Sequence, residues 1–278
     1  QFRPDVMRRL GLDYATLAEI NPRLIYCSIT GYGQTGDYKD RAGHDINYLA
    51  LSGIAGHSGR QDGGPPPLGI QVADVAGGSL HAVIAILAAV VERQRSGLGQ
   101  YIDISMTDCA VSLNAMAAAA SLAGQTAQAP EQGILNGASF YDYYQTRDGR
   151  YFAVGSLELQ FMSALAAALD LPILMAKGAS FAVEDRQAVK QALQEKFISQ
   201  DFAVWQQLFQ GLDICVEPVL SLDEALHSPM AKQRGWVVDV PLFAQSEQTE
   251  AQLACPIKFS RSKPQYAFIG QGLGEGQW

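Results

Sequence analysis

Apolar residues along the opening of the chain recur at helical spacing: Met7, Leu10, Tyr14, Leu17 and Ile20, with a break at Gly11. The pattern predicts two short helical pieces, the second capped by Asp13 and ended at Asn21-Pro22. Leu24 to Thr30 is a short, mostly apolar run and reads as a strand, followed by a glycine-rich loop from Gly31 to Gly36. Leu80, Val83, Ile84, Leu87 and Val91 then mark a long helix over Val75 to Arg95, stopped by Gly97-Leu98-Gly99. Ile102, Ile104 and Met106 alternate with Asp103 and Ser105, as in a half-exposed strand. Thr107 or Asp108 is placed to cap an alanine-rich helix through Ala120. Strand, glycine turn, helix, strand, helix points to an α/β layer.

The pattern changes after a polar, Gln- and Ala-rich linker around Gly124 to Gly137. Tyr141 to Gln145 and Tyr151 to Gly155 flank Asp148-Gly149 and predict a hairpin. Helices are predicted from about Gln160, from Arg186 and from Asp201 as cap, and Ser221 with Glu224 forms a capping box for another. This half reads as a separate, smaller α+β domain.

Composition narrows the function more than the fold. The 278 residues are 48% hydrophobic and 17% charged, with a formal charge of -8. That balance argues against broad attraction to nucleic acid or an anionic membrane, while leaving room for a local phosphate site. The apolar stretch around Ala82 to Val91 is shorter than a bilayer span needs, so no membrane segment is expected. Cys27, Cys109, Cys215 and Cys255 are scattered, a pattern that suits a reducing cytoplasm rather than a disulfide framework or a zinc site. Gln1 already lies inside patterned sequence, so the natural start is expected upstream.

Several residues carry candidate chemistry, each with a plainer explanation. Gly31, Gly33 and Gly36 match the spacing of a dinucleotide fingerprint. The residues after them lack the helical period that the fingerprint needs, so a loop allowing close approach of a ligand is expected instead. His44 has the chemistry of a neutral-pH acid or base. On spacing alone it reads more readily as a structural histidine that caps a helix or bonds a backbone carbonyl. Asp74 is placed to cap the long helix, and the paired Gly77 and Gly78 would open that helix start to an oxyanion. Glu158 follows a predicted strand and reads as a helix-start carboxylate, and Arg3 as a surface cation or a phosphate contact. No pair of histidines has metal-ligand spacing.

In order, Phe2-Arg3-Pro4, the run from Asn21-Pro22-Arg23 into Gly31-Tyr32-Gly33-Gln34, and Gly43-His44-Asp45-Ile46-Asn47-Tyr48 resemble the type III CoA-transferase family. Ala73-Asp74 with Gly77-Gly78, Gly97-Leu98-Gly99-Gln100, Glu158-Leu159-Gln160-Phe161 and the stretch from Pro218 to Glu224 continue the likeness. Within the family they are most similar to the alpha-methylacyl-CoA racemases. The resemblance implies a Rossmann-like large domain and a smaller α+β domain, interlocked between two chains as a homodimer. Residues 1–136 would belong to the large domain, whose first part lies upstream of Gln1. Residues 137–260 would form the small domain and 261–278 a returning segment, cut short after Gly274-Glu275. Leu159 stands where the family usually has proline.

The likeness also implies an acyl-CoA thioester as substrate, with no metal or redox cofactor. His44 and Asp74 match the catalytic histidine and aspartate, and Glu158 an acidic residue reaching the active site from the partner chain. Arg3, Gly31, Gly33, Tyr48, Gly77 and Gly78 are expected around the substrate. The reaction implied is racemisation at the α-carbon: one base removes the proton, another returns one on the opposite face, and backbone N–H groups at the start of the Val75 helix hold the enolate oxygen. A CoA-transferase with Asp74 as nucleophile is the alternative, and a non-catalytic CoA-binding protein a third reading.

Overall fold

The computed structural model of the protein describes residues 2–126 and 129–270. Residues 127 and 128 of the linker, and 271–278 of the returning segment, lie outside the described residues. The first half is built on two parallel strands, β1 (Tyr26–Thr30) and β2 (Tyr101–Ser105), paired in register from Tyr26 opposite Tyr101 to Thr30 opposite Ser105. The opening helices are α1 (Val6–Arg9) and α2 (Tyr14–Ile20), and Asp13 caps α2 by accepting the Thr16 N–H at 3.2 Å. Between the strands run α3 (Asp45–Leu51), α4 (Ile54–His57), a π-helical segment (Ala73–Leu80) and α5 (His81–Ser96). The last two form one 24-residue helix, Ala73–Ser96, longer than the Ala82 to Val91 stretch suggests. By length and composition it is apolar enough to cross a bilayer. Val83, Ile84, Leu87 and Val91 on it are each more than half exposed.

After β2 come α6 (Met106–Leu113) and α7 (Ala115–Leu122), where the sequence suggested one helix. The cap of α6 is neither Thr107 nor Asp108 but Ser105, whose Oγ accepts the Asp108 N–H at 3.2 Å. Thr107 instead turns back and donates both its N–H and its hydroxyl to the Gly31 carbonyl. A small core of Tyr48, Leu49, Ala73 and Ala110 joins α3, the π-helical segment and α6.

The second half carries the larger core. An antiparallel sheet of β3 (Asp142–Gln145), β4 (Tyr151–Val154) and β5 (Val216–Pro218) packs with α8 (Leu159–Leu169), α9 (Ile173–Lys177), α10 (Val183–Phe197) and α11 (Phe202–Phe209). Phe152, Phe197, Phe202, Trp205 and Phe209 form a continuous aromatic cluster there. The hairpin around Asp148-Gly149 is as the alternation predicts. Asp201 stands at the start of α11, but its carboxylate pairs with Arg147 and the Phe202 N–H goes to Asp148. Ser221 and Glu224 form the expected capping box of α12 (Leu222–His227), which leads into α13 (Pro229–Arg234). A final hairpin, β6 (Val237–Pro241) with β7 (Thr249–Leu253), has no counterpart in the sequence pattern, because the β7 residues are mostly exposed and carry no alternation. The mixed α/β architecture agrees with the fold class read from sequence.

One charged cluster ties the halves together. Arg60 donates to both oxygens of Asp142, at 2.7 and 2.5 Å, and to Glu131 at 3.0 Å, while Lys190 reaches Asp142 at 2.9 Å. Burial pushes the Asp142 carboxyl up, but these cations outweigh it and hold it below the ordinary range.

Candidate active site

His44, Asp45 and Asp74 are brought together by the starts of two helices. The His44 backbone is extended, and α3 begins at the next residue. Asn47 Oδ1 accepts the His44 N–H at 3.0 Å, and the Asn47 N–H donates to the His44 carbonyl at 2.8 Å. The cap is therefore made by the His44 backbone. Among the described residues its exposed imidazole has no hydrogen-bond partner. The other three histidines do: His57 with Asn114 Oδ1 at 2.9 Å, His81 with the Ala76 carbonyl at 2.8 Å, and His227 with the Asp223 carbonyl at 2.9 Å.

Asp45, the first residue of α3, accepts the Asp74 N–H at 3.0 Å and so fastens the π-helical segment to α3. Asp74 is half-buried, and its carboxyl is raised above the ordinary range. Burial is the main cause, the Asp45 carboxylate the second, and His44 acts in the opposite direction. The Asp74 carbonyl takes the Ser79 hydroxyl at 3.1 Å within the widened turns of the segment. Widened turns of this kind are common at functional sites. Sequence reasoning gave Asp45 no role, and the only signal was its place beside His44, since its contact spans 29 residues.

A cleft of about 500 Å³ opens beside His44, its wall including Arg3, Gly31, Lys39, Arg41 and Tyr48. Asp74 is not part of that wall and adjoins it through Asp45 and His44. The rim carries three cations, of which Lys39 pairs with Asp5 at 3.2 Å and Arg41 lies over the Tyr38 ring. Such a rim suits an anionic ligand. A larger cavity, about 890 Å³, lies against the Arg60 cluster, where Arg60 and Asp142 already neutralise each other.

The glycines serve packing more than ligand approach. Gly33 has φ 81°, and its neighbour Gln34 donates its N–H to Asp103 of β2 at 2.9 Å, so the loop is pinned to the sheet. No helix starts until Asp45, which removes the dinucleotide reading. Gly77 and Gly78 are buried: a Cβ on Gly77 would stand 3.2 Å from the Met106 carbonyl, and one on Gly78 3.0 Å from Met106 Cγ. They let the π-helical segment approach α6. The donors expected to hold an oxyanion are also taken, the Asp74 N–H by Asp45 and the Val75 N–H by the Gln71 carbonyl.

Glu158 stands exposed at the start of α8, and its side chain does not cap that helix. Its charge is felt at Cys215, and it makes no hydrogen bond or ion pair with His44 or Asp74. It does not line the cleft beside His44, and it is not among the charges that act on Asp74. Among the described residues no three His, Cys, Asp or Glu side chains converge as a metal site would require.

Known proteins place this geometry in a family. Alpha-methylacyl-CoA racemase of Mus musculus is 40% identical over 240 residues, which is 84% of this chain and 61% of that relative. The Homo sapiens succinyl-CoA:glutarate CoA-transferase is 32% identical over 85% of this chain and 55% of its own length. The chain thus spans about three fifths of the first of these relatives and less of the second. A CAIB/BAIF family protein from Brucella suis superposes with a TM-score of 0.78 at 29% identity, over 97% of this chain and 70% of that one. The Mycobacterium tuberculosis protein Rv3272 has the same fold, with a TM-score of 0.74 at 23% identity over 94% of this chain and 70% of its own. The pattern of CoA-transferase family III matches residues 1–270, and the chain belongs to that family.

Proposed function

We propose that the protein racemises 2-methylacyl-CoA thioesters by two-base proton transfer through an enolate. The observation that carries this reading is the His44 imidazole, the histidine ring left without a protein partner among the described residues, beside an Asp74 whose carboxyl holds its proton unusually well. A thioester acidifies its α-hydrogen because the carbanion delocalises onto the carbonyl oxygen. His44 takes that proton from one face and Asp74 supplies one to the other; the roles exchange in the reverse direction. Each group needs a proton affinity near that of the medium, and burial with a neighbouring carboxylate moves Asp74 that way. The cationic rim of Arg3, Lys39 and Arg41 faces the phosphates of CoA. This chemistry asks for no metal or redox group. Because Glu158 stands apart from His44 within one chain, we assign it to the site of a second copy in a homodimer.

The glutarate transferase relatives favour a second reading, in which the Asp74 carboxylate displaces CoA thiolate from an acyl-CoA to form a mixed anhydride. The thiolate attacks the Asp74 carbonyl and releases the free acid, and the resulting aspartyl-CoA thioester passes CoA to the acceptor acid by the reverse steps. One enantiomer of a 2-methylacyl-CoA in D₂O, with a free carboxylic acid present, separates the two. Deuterium at the α-carbon with loss of optical purity is the expected outcome. His44→Ala should then slow exchange about 10²–10⁴-fold. New acyl-CoA made from the added acid, with the α-hydrogen retained, would establish the transferase instead.

A further inference from the structure

We propose that Tyr48 is a positioning residue that aims the His44 imidazole through the backbone, rather than a contact for substrate. The inference deepens the racemase reading and rests on it for its kinetic arm. An imidazole with no hydrogen-bond partner of its own is held only by the backbone it hangs from. The peptide unit entering His44 is held at both polar ends: Asn47 Oδ1 accepts its N–H at 3.0 Å, and its carbonyl, that of Gly43, accepts the Tyr48 hydroxyl at 2.6 Å. The peptide leaving His44 is held too, its carbonyl accepting the N–H groups of Asn47 at 2.8 Å and Tyr48 at 3.3 Å. Two neighbouring residues in the first turn of α3 thus fix the plane on each side of the base.

The Tyr48 ring is itself immobilised. It is 5% exposed, and the Tyr32 ring packs edge-on against it at 5.2 Å between centroids. A Cβ on Gly31 would run into the ring, and one on Gly43 would stand 2.7 Å from Tyr48 Cε1. These glycines are where the loops close over Tyr48, which explains two positions that no turn geometry requires. Burial, then the nearby Tyr32, Asp74 and Asp45, raise the hydroxyl above the ordinary tyrosine range, so it stays a donor at neutral pH.

Tyr48→Phe keeps the ring and deletes the donor. In the D₂O assay its kcat for α-hydrogen exchange should fall about ten-fold with KM within about two-fold of wild type, as expected for a misplaced base. Histidine-labelled protein supplies a readout independent of turnover. The His44 ring signals, assigned by their loss in His44→Ala, should shift or broaden in Tyr48→Phe while those of His57, His81 and His227 stay in place. Superimposable His44 signals would overturn the proposal whatever the rates. A raised KM with unchanged kcat would overturn it too and make Tyr48 a substrate contact. If wild-type protein exchanges no α-hydrogen, the racemase reading fails, and the ring signals still decide whether Tyr48 sets His44.

Discussion

Asp74 is a residue whose local surroundings oppose its ordinary ionisation. Burial first, and the Asp45 carboxylate second, make the folded protein bind the Asp74 proton more tightly than the unfolded chain does. The sign of the linkage follows. Protonated Asp74 adds stability that is fully present below the ordinary aspartate range, about pH 4, and is lost as pH rises through the raised value. At neutral pH the ionised side chain is therefore carried at a cost. Asp74→Asn removes that charge and leaves the backbone N–H free to bond Asp45 as before. We expect the variant to lose activity yet melt at the same temperature or higher than wild type at pH 7, with the gap closing toward pH 4. Melting curves at the two pH values check this; a variant less stable at pH 7 would mean that Asp74 is ionised comfortably. In the sequence His44 stood out because an imidazole titrates near neutral pH, and Asp74 because paired glycines follow it, although the structure puts those glycines to packing against Met106. Asp45 did not, because a carboxylate beside a helix start looks like any capping residue until the partner 29 residues away is in place.

At the scale of elements, α5 and β2 were legible because one has a long 3.6-residue period and the other a clean alternation, both punctuated by glycine. The two punctuating glycines act differently. Gly97 closes α5 at φ 76° with open space around a would-be Cβ, so Gly97→Ala should cost only the left-handed strain, about 1–2 kcal/mol. A Cβ on Gly99 would run into the Leu24 carbonyl, and the Gly99 N–H already bonds Pro22 at 2.8 Å. Backbone cannot move aside as a side-chain tip can, so Gly99→Ala should cost about 3 kcal/mol, the upper end of overpacking. Urea unfolding of the two variants checks the order; equal losses would mean that the turn yields. What the sequence hid at this scale has a common cause. The break of α6 from α7 at Asn114, the widened turns at Ala73–Leu80 and the β6–β7 hairpin depend on contacts between elements, and none alters the local period. Gly77 and Gly78 belong here too, since their purpose is the approach of α6.

Across the whole molecule apolar burial is uneven. The second half surrounds β3, β4 and β5 with helices and buries a cluster reaching from Phe140 to Val216, held further by the Trp205 N–H on the Phe197 carbonyl at 2.7 Å. The first half buries only a small cluster around Tyr48 and leaves one side of α5 in water. A stripe of Val83, Ile84, Leu87 and Val91 in solvent is more than a scatter of surface side chains, and such patches mark surfaces that are covered in the working protein. If the cover is the second copy of the proposed dimer, protection of α5 must depend on protein concentration. Amides of β4 and α10 should resist hydrogen exchange equally in dilute and concentrated protein, because their core is complete within one chain. Amides of α5 should exchange faster on dilution through the range where sedimentation reports dissociation, and α-hydrogen exchange activity should fall over the same range. An α5 equally protected at every concentration, in a monomer that keeps full activity, would remove the dimer and with it the role given to Glu158.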